Sequence, residues 1–211
     1  MCILACLLCF TTTNIYAKEN SSLMIVAHPD DETIWGGSHL LKGNYTVLCI
    51  TNGNNKHRKK EFEKAMKKTY SKGIILTYPD KTNGKRDHWK TCKAQIKQDI
   101  QKEIDSKNWS QIVTHNPNGE YGHIHHKMVS QLVTSILKNE HKTDKLMYFG
   151  KYTSQKNKQD LKKINRMTEK AYTKKMQVIQ VYSSQKKVMQ HLHHMLPYEN
   201  WIAYKNWSKI N

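Results

Sequence analysis

A chain of 211 residues, 37% of them hydrophobic, is long enough to bury a core of ordinary size as one domain and too apolar to stay disordered. Its formal net charge of +18 favours anionic partners. The basic residues are scattered through nearly every expected helix, however, and no arginine-rich tract or aromatic-basic motif accompanies them, so no specific nucleic-acid partner is expected.

Residues 1–17 open on an apolar run, Met1 to Phe10, and end on small-residue cleavage after Ala17, which reads as a short signal peptide leading to a secreted or extracytoplasmic protein. The run lacks a basic start, so an uncleaved membrane anchor or a lipid-modified Cys6 or Cys9 is the alternative. The remaining residues, 18–211, are assigned to one domain. They keep only Cys49 and Cys92 of the five cysteines, which is no disulfide framework, and both read as core thiols. Asn20, Asn44, Asn108 and Asn206 stand in Asn-x-Ser/Thr sites that matter only in a eukaryotic secretory pathway.

Apolar runs then alternate with segments of helical period. Strands are expected at Ser22–Ala27, Tyr45–Ile50, Gly73–Tyr78, Ser110–His115 and Lys145–Phe149, and helices at Thr33–Lys42, His57–Ser71, Trp89–Ser106 and His123–Lys138. Helices at Lys158–Lys175 and Ser183–Met195 follow, flanking a short strand at Gln177–Val181, before an aromatic tail of Trp201, Tyr204 and Trp207. This series predicts an α/β Rossmann-like three-layer sandwich, its mostly parallel sheet ordered like 3-2-1-4-5 with helices on both faces.

Two clusters carry chemistry. The first, His28-Pro29-Asp30-Asp31-Glu32, puts an imidazole and three carboxylates directly after strand one, enough for two metal ligands and a base. The second, Asn118 to His126, follows strand four and sets His123 and His126 three apart. Ligands of such sheets bind at the carboxyl ends of the strands where chain order reverses, and in a 3-2-1-4-5 order strands one and four are neighbours there. The His191-His193-His194 run reads as a helix end at the pocket rim and receives no catalytic role.

These residues resemble the paired signatures of the PIG-L/LmbE-like zinc de-N-acetylases: His28-Pro29-Asp30-Asp31-Glu32 with Gly36-Gly37, then Gly122-His123-x-x-His126. Between them, Arg58-x-x-Glu61-x-x-x-Ala65 and Tyr78-Pro79-Asp80 are similar to further family positions, and the likeness spans roughly residues 22 to 150. The resemblance implies hydrolytic removal of an acetyl group from an N-acetylglucosamine-type sugar, with zinc, or another divalent ion, held by His28, Asp31 and His126. It implies Asp30 as general base, His123 and Tyr121 beside the tetrahedral intermediate, and Arg58 and Asp80 on the sugar or its aglycone. His123 would act as an imidazolium or help to protonate the leaving amine. Read from the residues alone, Glu32 and Glu120 orient neighbouring groups or cap a helix.

The chain departs from the family at one point: where the second motif often reads His-Pro-Asp-His, Ile124 and His125 fill the middle. The substrate expected is an N-acetylated amino sugar, anionic or lipid-linked, and the basic composition is compatible with association at a membrane surface. The alternative is a catalytically silent glycan- or polyanion-binding module on the same fold. A dinucleotide enzyme is disfavoured because no Gly-x-Gly-x-x-Gly follows strand one.

Overall fold

The computed structural model describes residues 21–209, so the expected leader at residues 1–17 lies outside the described residues. Chain order runs β1 (Ser22–Val26), α1 (Asp31–Leu40), β2 (Tyr45–Thr51), α2 (Lys56–Lys68) and β3 (Lys72–Tyr78). A hairpin of β4 (Lys81–Thr82) and β5 (Lys85–Arg86) comes next, then α3 (Lys93–Asp105), β6 (Gln111–Thr114), α4 (Ile124–Asn139) and β7 (Leu146–Tyr148). The chain closes with α5 (Glu169–Ile179), α6 (Lys186–Leu192), β8 (Ile202–Ala203) and α7 (Tyr204–Trp207).

The main sheet is ordered β3-β2-β1-β6-β7-β8. Its pairings are parallel except for β8, which runs antiparallel to β7 with Tyr148 opposite Ile202. The expected mostly parallel order is therefore present, extended by one antiparallel edge strand. β1 sits in the middle, and its alternating side chains feed two cores. Met24 and Val26 pack with residues of α1, α2, α5 and the C-terminal segment, whereas Leu23 and Ile25 pack with α3 and α4. A strand buried on both faces reads as a continuous apolar run, which is why Leu23 to Ala27 shows no polar alternation.

Gly36-Gly37 serves close packing, not phosphate binding. A Cβ on Gly36 would lie 2.6 Å from Met24 Cε, and one on Gly37 would lie 3.0 Å from Lys175 Cγ. Lys175 is fully buried there, donating to Ile34 O at 2.6 Å and Leu196 O at 2.8 Å and pairing with Glu199 at 2.7 Å. That buried pair fastens the C-terminal segment to α1.

The second half departs from expectation. The helix foreseen at Lys158–Lys175 is instead a 3₁₀ stretch at Gln155–Lys163, an extended link, and then α5, which starts where the Thr168 side chain accepts the Ala171 N–H. The strand foreseen at Gln177–Val181 falls largely in the last turn of α5, because Val178 and Ile179 bury against the first core instead of joining the sheet. The last foreseen helix splits into a 3₁₀ turn at Ser183–Gln185 and α6. Cys49 is buried, Cys92 half-buried, and both are free thiols. No helix among the described residues is long and apolar enough to cross a membrane.

Candidate metal centre and catalytic pocket

The first cluster occupies the turn between β1 and α1, and the second the turn and first residues of α4 after β6. Because β1 and β6 pair directly, residues nearly a hundred positions apart meet. His28 Nδ1 lies 3.1 Å from Asp31 Oδ2 and 3.3 Å from His126 Nε2, and His126 Nε2 lies 3.2 Å from Asp31 Oδ1. Zinc–nitrogen and zinc–oxygen bonds of 2.0–2.1 Å set tetrahedral edges of about 3.3 Å, and these separations are of that size, with the two Asp31 oxygens facing one histidine each.

Hydrogen positions follow from the partners. His126 Nδ1 lies 2.5 Å from Glu120 Oε2 and His115 Nδ1 lies 2.9 Å from the same atom; a carboxylate accepts, so both Nδ1 atoms carry hydrogen. A neutral His126 then turns a bare Nε2 toward the two Asp31 oxygens and His28. Burial opposes a charge on His126, yet Asp31 and Glu120 hold its pKa up at about 10. Two carboxylates that favour a positive charge on His126 in a buried site provide the field that a divalent cation would use. The donor set therefore fits a metal ion, with Glu120 fixing the orientation of His126 and the backbone N–H of His28 donating to Asp31 at 2.8 Å.

His115 was not foreseen as part of the site, having read as the end of a strand. It is fully buried, its Nε2 accepts the Ala27 N–H at 3.0 Å, and its ring stacks on His126 with centroids 3.8 Å apart. Its Nε2 also lies 3.4 Å from Asp31, but a nitrogen that accepts from a backbone amide offers no proton there.

Asp30 stands beside the triangle at φ 129°, strained for a residue with a Cβ. Three contacts hold it. Its N–H donates to Glu32 Oε2 at 3.0 Å, its carbonyl accepts from Thr33 and Ile34, and Arg58 reaches both the Pro29 carbonyl and, at 3.4 Å, Asp30 Oδ1. Glu32 is itself held by Thr33 Oγ1 at 2.6 Å and Tyr182 Oη at 2.5 Å. Burial, and then Asp31 alongside, push the Asp30 carboxyl well above its ordinary value, with Arg58 opposing.

His123 caps α4, its Nδ1 accepting the His125 N–H at 3.2 Å, so the hydrogen of the neutral ring sits on Nε2. Burial and the neighbouring His126 and His28 depress its pKa to about 2, which favours a neutral donor over an imidazolium. The Tyr121 ring is 38% exposed and stands 6.1 Å from that of His123; burial of its hydroxyl and the Asp31 and Asp30 charges keep it protonated. Asp80 accepts from Arg86 and lies 3.2 Å from His28 Nε2; burial opposes its ionisation, but His28 and Arg86 hold its pKa well below the usual carboxylate range. All eight residues singled out from the sequence line one pocket of about 520 Å³ or the wall behind it, with Asn52 and Arg86 added. Arg58 Nε is buried and has no hydrogen-bond partner among the described residues. His194 bonds to Thr153 and Gln155.

The protein is a mostly parallel α/β sheet that gathers buried histidines and carboxylates able to hold a metal ion at the ends of its two central strands. Residues 23–137, over half of the chain, match the sequence profile of the PIG-L family, described as GlcNAc-PI de-N-acetylase, and the chain belongs to that family. It is 30% identical over 204 residues to an uncharacterized protein of Acanthamoeba polyphaga mimivirus, covering 89% of this chain and 81% of the relative. Among solved structures it is similar to the antimicrobial-reagent pseudoaglycone deacetylase Dbv21, with TM-score 0.63, 15% identity, and 84% and 87% of the two chains covered. It also resembles GalB, the 4-carboxy-2-hydroxymuconate hydratase of Pseudomonas putida, with TM-score 0.55, 13% identity, and 82% and 83% covered. At these identities the two structures speak for the fold alone. The PIG-L family is a de-N-acetylase family acting on acetylated sugars and is generally metal-dependent.

Proposed function

We propose that the chain is a zinc-dependent de-N-acetylase of an N-acetylglucosamine conjugate, releasing acetate and the free amine. The observation that carries this reading is the convergence of the His28, Asp31 and His126 donors beside a separate buried carboxylate, Asp30, at one end of an open pocket. A divalent ion held by those three would supply Lewis acidity, lowering the pKa of a water from 15.7 toward ~7 and polarising the amide carbonyl.

The protein's own groups do the rest. Asp30, its basicity raised by burial, takes the proton as water attacks the amide carbon, and returns it to the nitrogen as the C–N bond breaks. His123 Nε2–H donates to the oxygen on which negative charge develops, and Tyr121, its ring 6.1 Å from that of His123, is assigned to the same side of the intermediate. Arg58, Asp80 and Arg86, which line the pocket, offer polar contacts for the sugar and its aglycone. Arg86 and Lys81 on the rim, together with the net charge of +18, favour an anionic conjugate, lipid-linked or polymeric. An extracytoplasmic location, suggested by the apolar residues 1–17, belongs to the same proposal.

That one fold hosts both a deacetylase and a hydratase means the site and the family match, rather than the sheet, support acetyl removal. The test is amine and acetate release from a panel of N-acetylglucosaminyl compounds, with and without a chelator. Chelator-sensitive release supports the reading. Salt-sensitive binding of anionic glycans with no release from any compound, by metal-loaded protein, would replace it with the silent binding module.

A further inference from the structure

We propose that His125, the residue standing where the family motif usually carries an acid, positions His28 through an imidazole–imidazole hydrogen bond and so presents His28 Nδ1 as a metal donor. The inference rests on the divalent-ion reading above.

His125 is fully buried, with its ring stacked flat on Trp89 at a centroid distance of 4.2 Å and an interplanar angle of 10°. Its Nε2 lies 2.6 Å from the carbonyl oxygen of Asp87. A carbonyl only accepts, so Nε2 carries the hydrogen and Nδ1 of the neutral ring is a bare lone pair. That lone pair faces His28 Nε2 at 3.1 Å and Asp80 Oδ1 at 3.6 Å. An ionised carboxylate has no hydrogen to give, so the one between the two rings belongs to His28 Nε2. With Nε2 protonated, a neutral His28 has its lone pair on Nδ1, the atom 3.1 Å from Asp31 and 3.3 Å from His126, where a cation would stand in for the hydrogen that Asp31 otherwise accepts. Two hydrogen bonds thus run from a backbone carbonyl to the metal-facing atom. Asp80 shares the His28 hydrogen at 3.2 Å, but it is also engaged by Arg86 and stands just before the short hairpin, whereas His125 sits in the first turn of α4 with its ring stacked on Trp89.

His28 Nε2, Asp80 and His125 Nδ1 also lie close enough to suggest a second cation site. Filling it would require His28 Nε2 to lose its hydrogen while Nδ1 serves the first ion, leaving an imidazolate. The two uses of one ring exclude each other, so a single ion per chain is expected.

The relay is tested by two amides of different reach. His125→Asn places its amide oxygen near the Nδ1 position, preserving the acceptor for His28. His125→Gln places its amide near the Nε2 position, keeping the Asp87 contact and withdrawing that acceptor. Zinc affinity by chelator competition should fall about 10–100-fold in His125→Gln and stay close to wild type in His125→Asn. Nitrogen-15 shifts of metal-free protein should show His28 protonated at Nε2 in the wild type and in His125→Asn, and mixed in His125→Gln. Equal affinities and unchanged shifts in the two variants, or two zinc ions per wild-type chain, would overturn the proposal. Should the wild type take up no zinc, the divalent-ion reading falls by itself, and the shifts still decide the relay.

Discussion

Replacing Asp30 by Asn should remove activity while making the metal-free protein no less stable. The side chains match in shape, and Asn tolerates positive φ better than most residues, so the backbone at φ 129° and its bonds to Glu32, Thr33 and Ile34 are preserved. A non-glycine residue in such a region costs about 1–3 kcal/mol, and that cost stays. What changes is the charge. Burial and Asp31 raise the Asp30 carboxyl well above its ordinary value despite Arg58, so at neutral pH its ionised form opposes folding; a group with a raised carboxyl pKa destabilises above its unfolded value. Asn lifts that opposition, and each kcal/mol regained raises Tm by about 2–4 °C in a chain of this size. Loss of the general base costs about 10²–10⁴-fold in turnover. The assays are amine release with zinc-loaded protein, zinc uptake, and thermal melting of the metal-free form at neutral pH. Turnover within tenfold of wild type, or a lower melting point without metal, would refute the reasoning.

Glu120 has its pKa lowered to about 2 by His115 and His126 against its burial, so it contributes stability that is complete above about 4.5 and lost as pH falls toward 2. Glu120→Gln should therefore be less stable than wild type at neutral pH, the gap closing over that window in acid-unfolding curves of metal-free protein; a constant gap would count against the assignment. Lys175→Met leaves the buried Glu199 charge and the Ile34 and Leu196 carbonyls without their donor, and should cost about 3–5 kcal/mol in urea unfolding. Adding Glu199→Gln should recover much of that loss, and a double variant no better than the single would show that the pair is not the cause. Gly53→Ala would set a Cβ 2.6 Å from the Leu76 carbonyl oxygen, a backbone atom that cannot swing aside, and should cost about 1–3 kcal/mol by the same measurement.

How much of this was legible in the sequence follows from where the signal is local. The strands and helices up to Phe149 carry unbroken apolar runs or long helical periods, and the parallel order then places His28 and His126 together without any further information. Past Tyr152 the elements are short and depend on tertiary contacts. β8 is two residues long and forms where Tyr148 pairs with Ile202, while Val178 and Ile179, β-branched and read as strand, bury as the end of α5. The β4–β5 hairpin did leave a local mark, Asn83-Gly84 with φ of 53° and 76°, the dipeptide that favours a tight hairpin turn. Missing it hid the loop that brings Asp80, Arg86 and the Asp87 carbonyl to the site.

The other omissions are of one kind. His115 and Tyr182 lie beyond any motif, and the orienting role read for Glu120 named no partner, because such roles consist of which atom accepts and which donates, a property of three-dimensional neighbours. A sequence pattern names groups able to bind a metal; it does not say where their hydrogens are. At this site the hydrogens decide the outcome: Glu120 accepts a hydrogen bond from His126 Nδ1 and His125 accepts one from His28 Nε2, so the neutral rings that a cation would use have their lone pairs toward Asp31. His125, standing where the family's second motif often carries an acid, presents an acceptor to His28 Nε2 once the Asp87 carbonyl has fixed its own hydrogen on the far side of the ring.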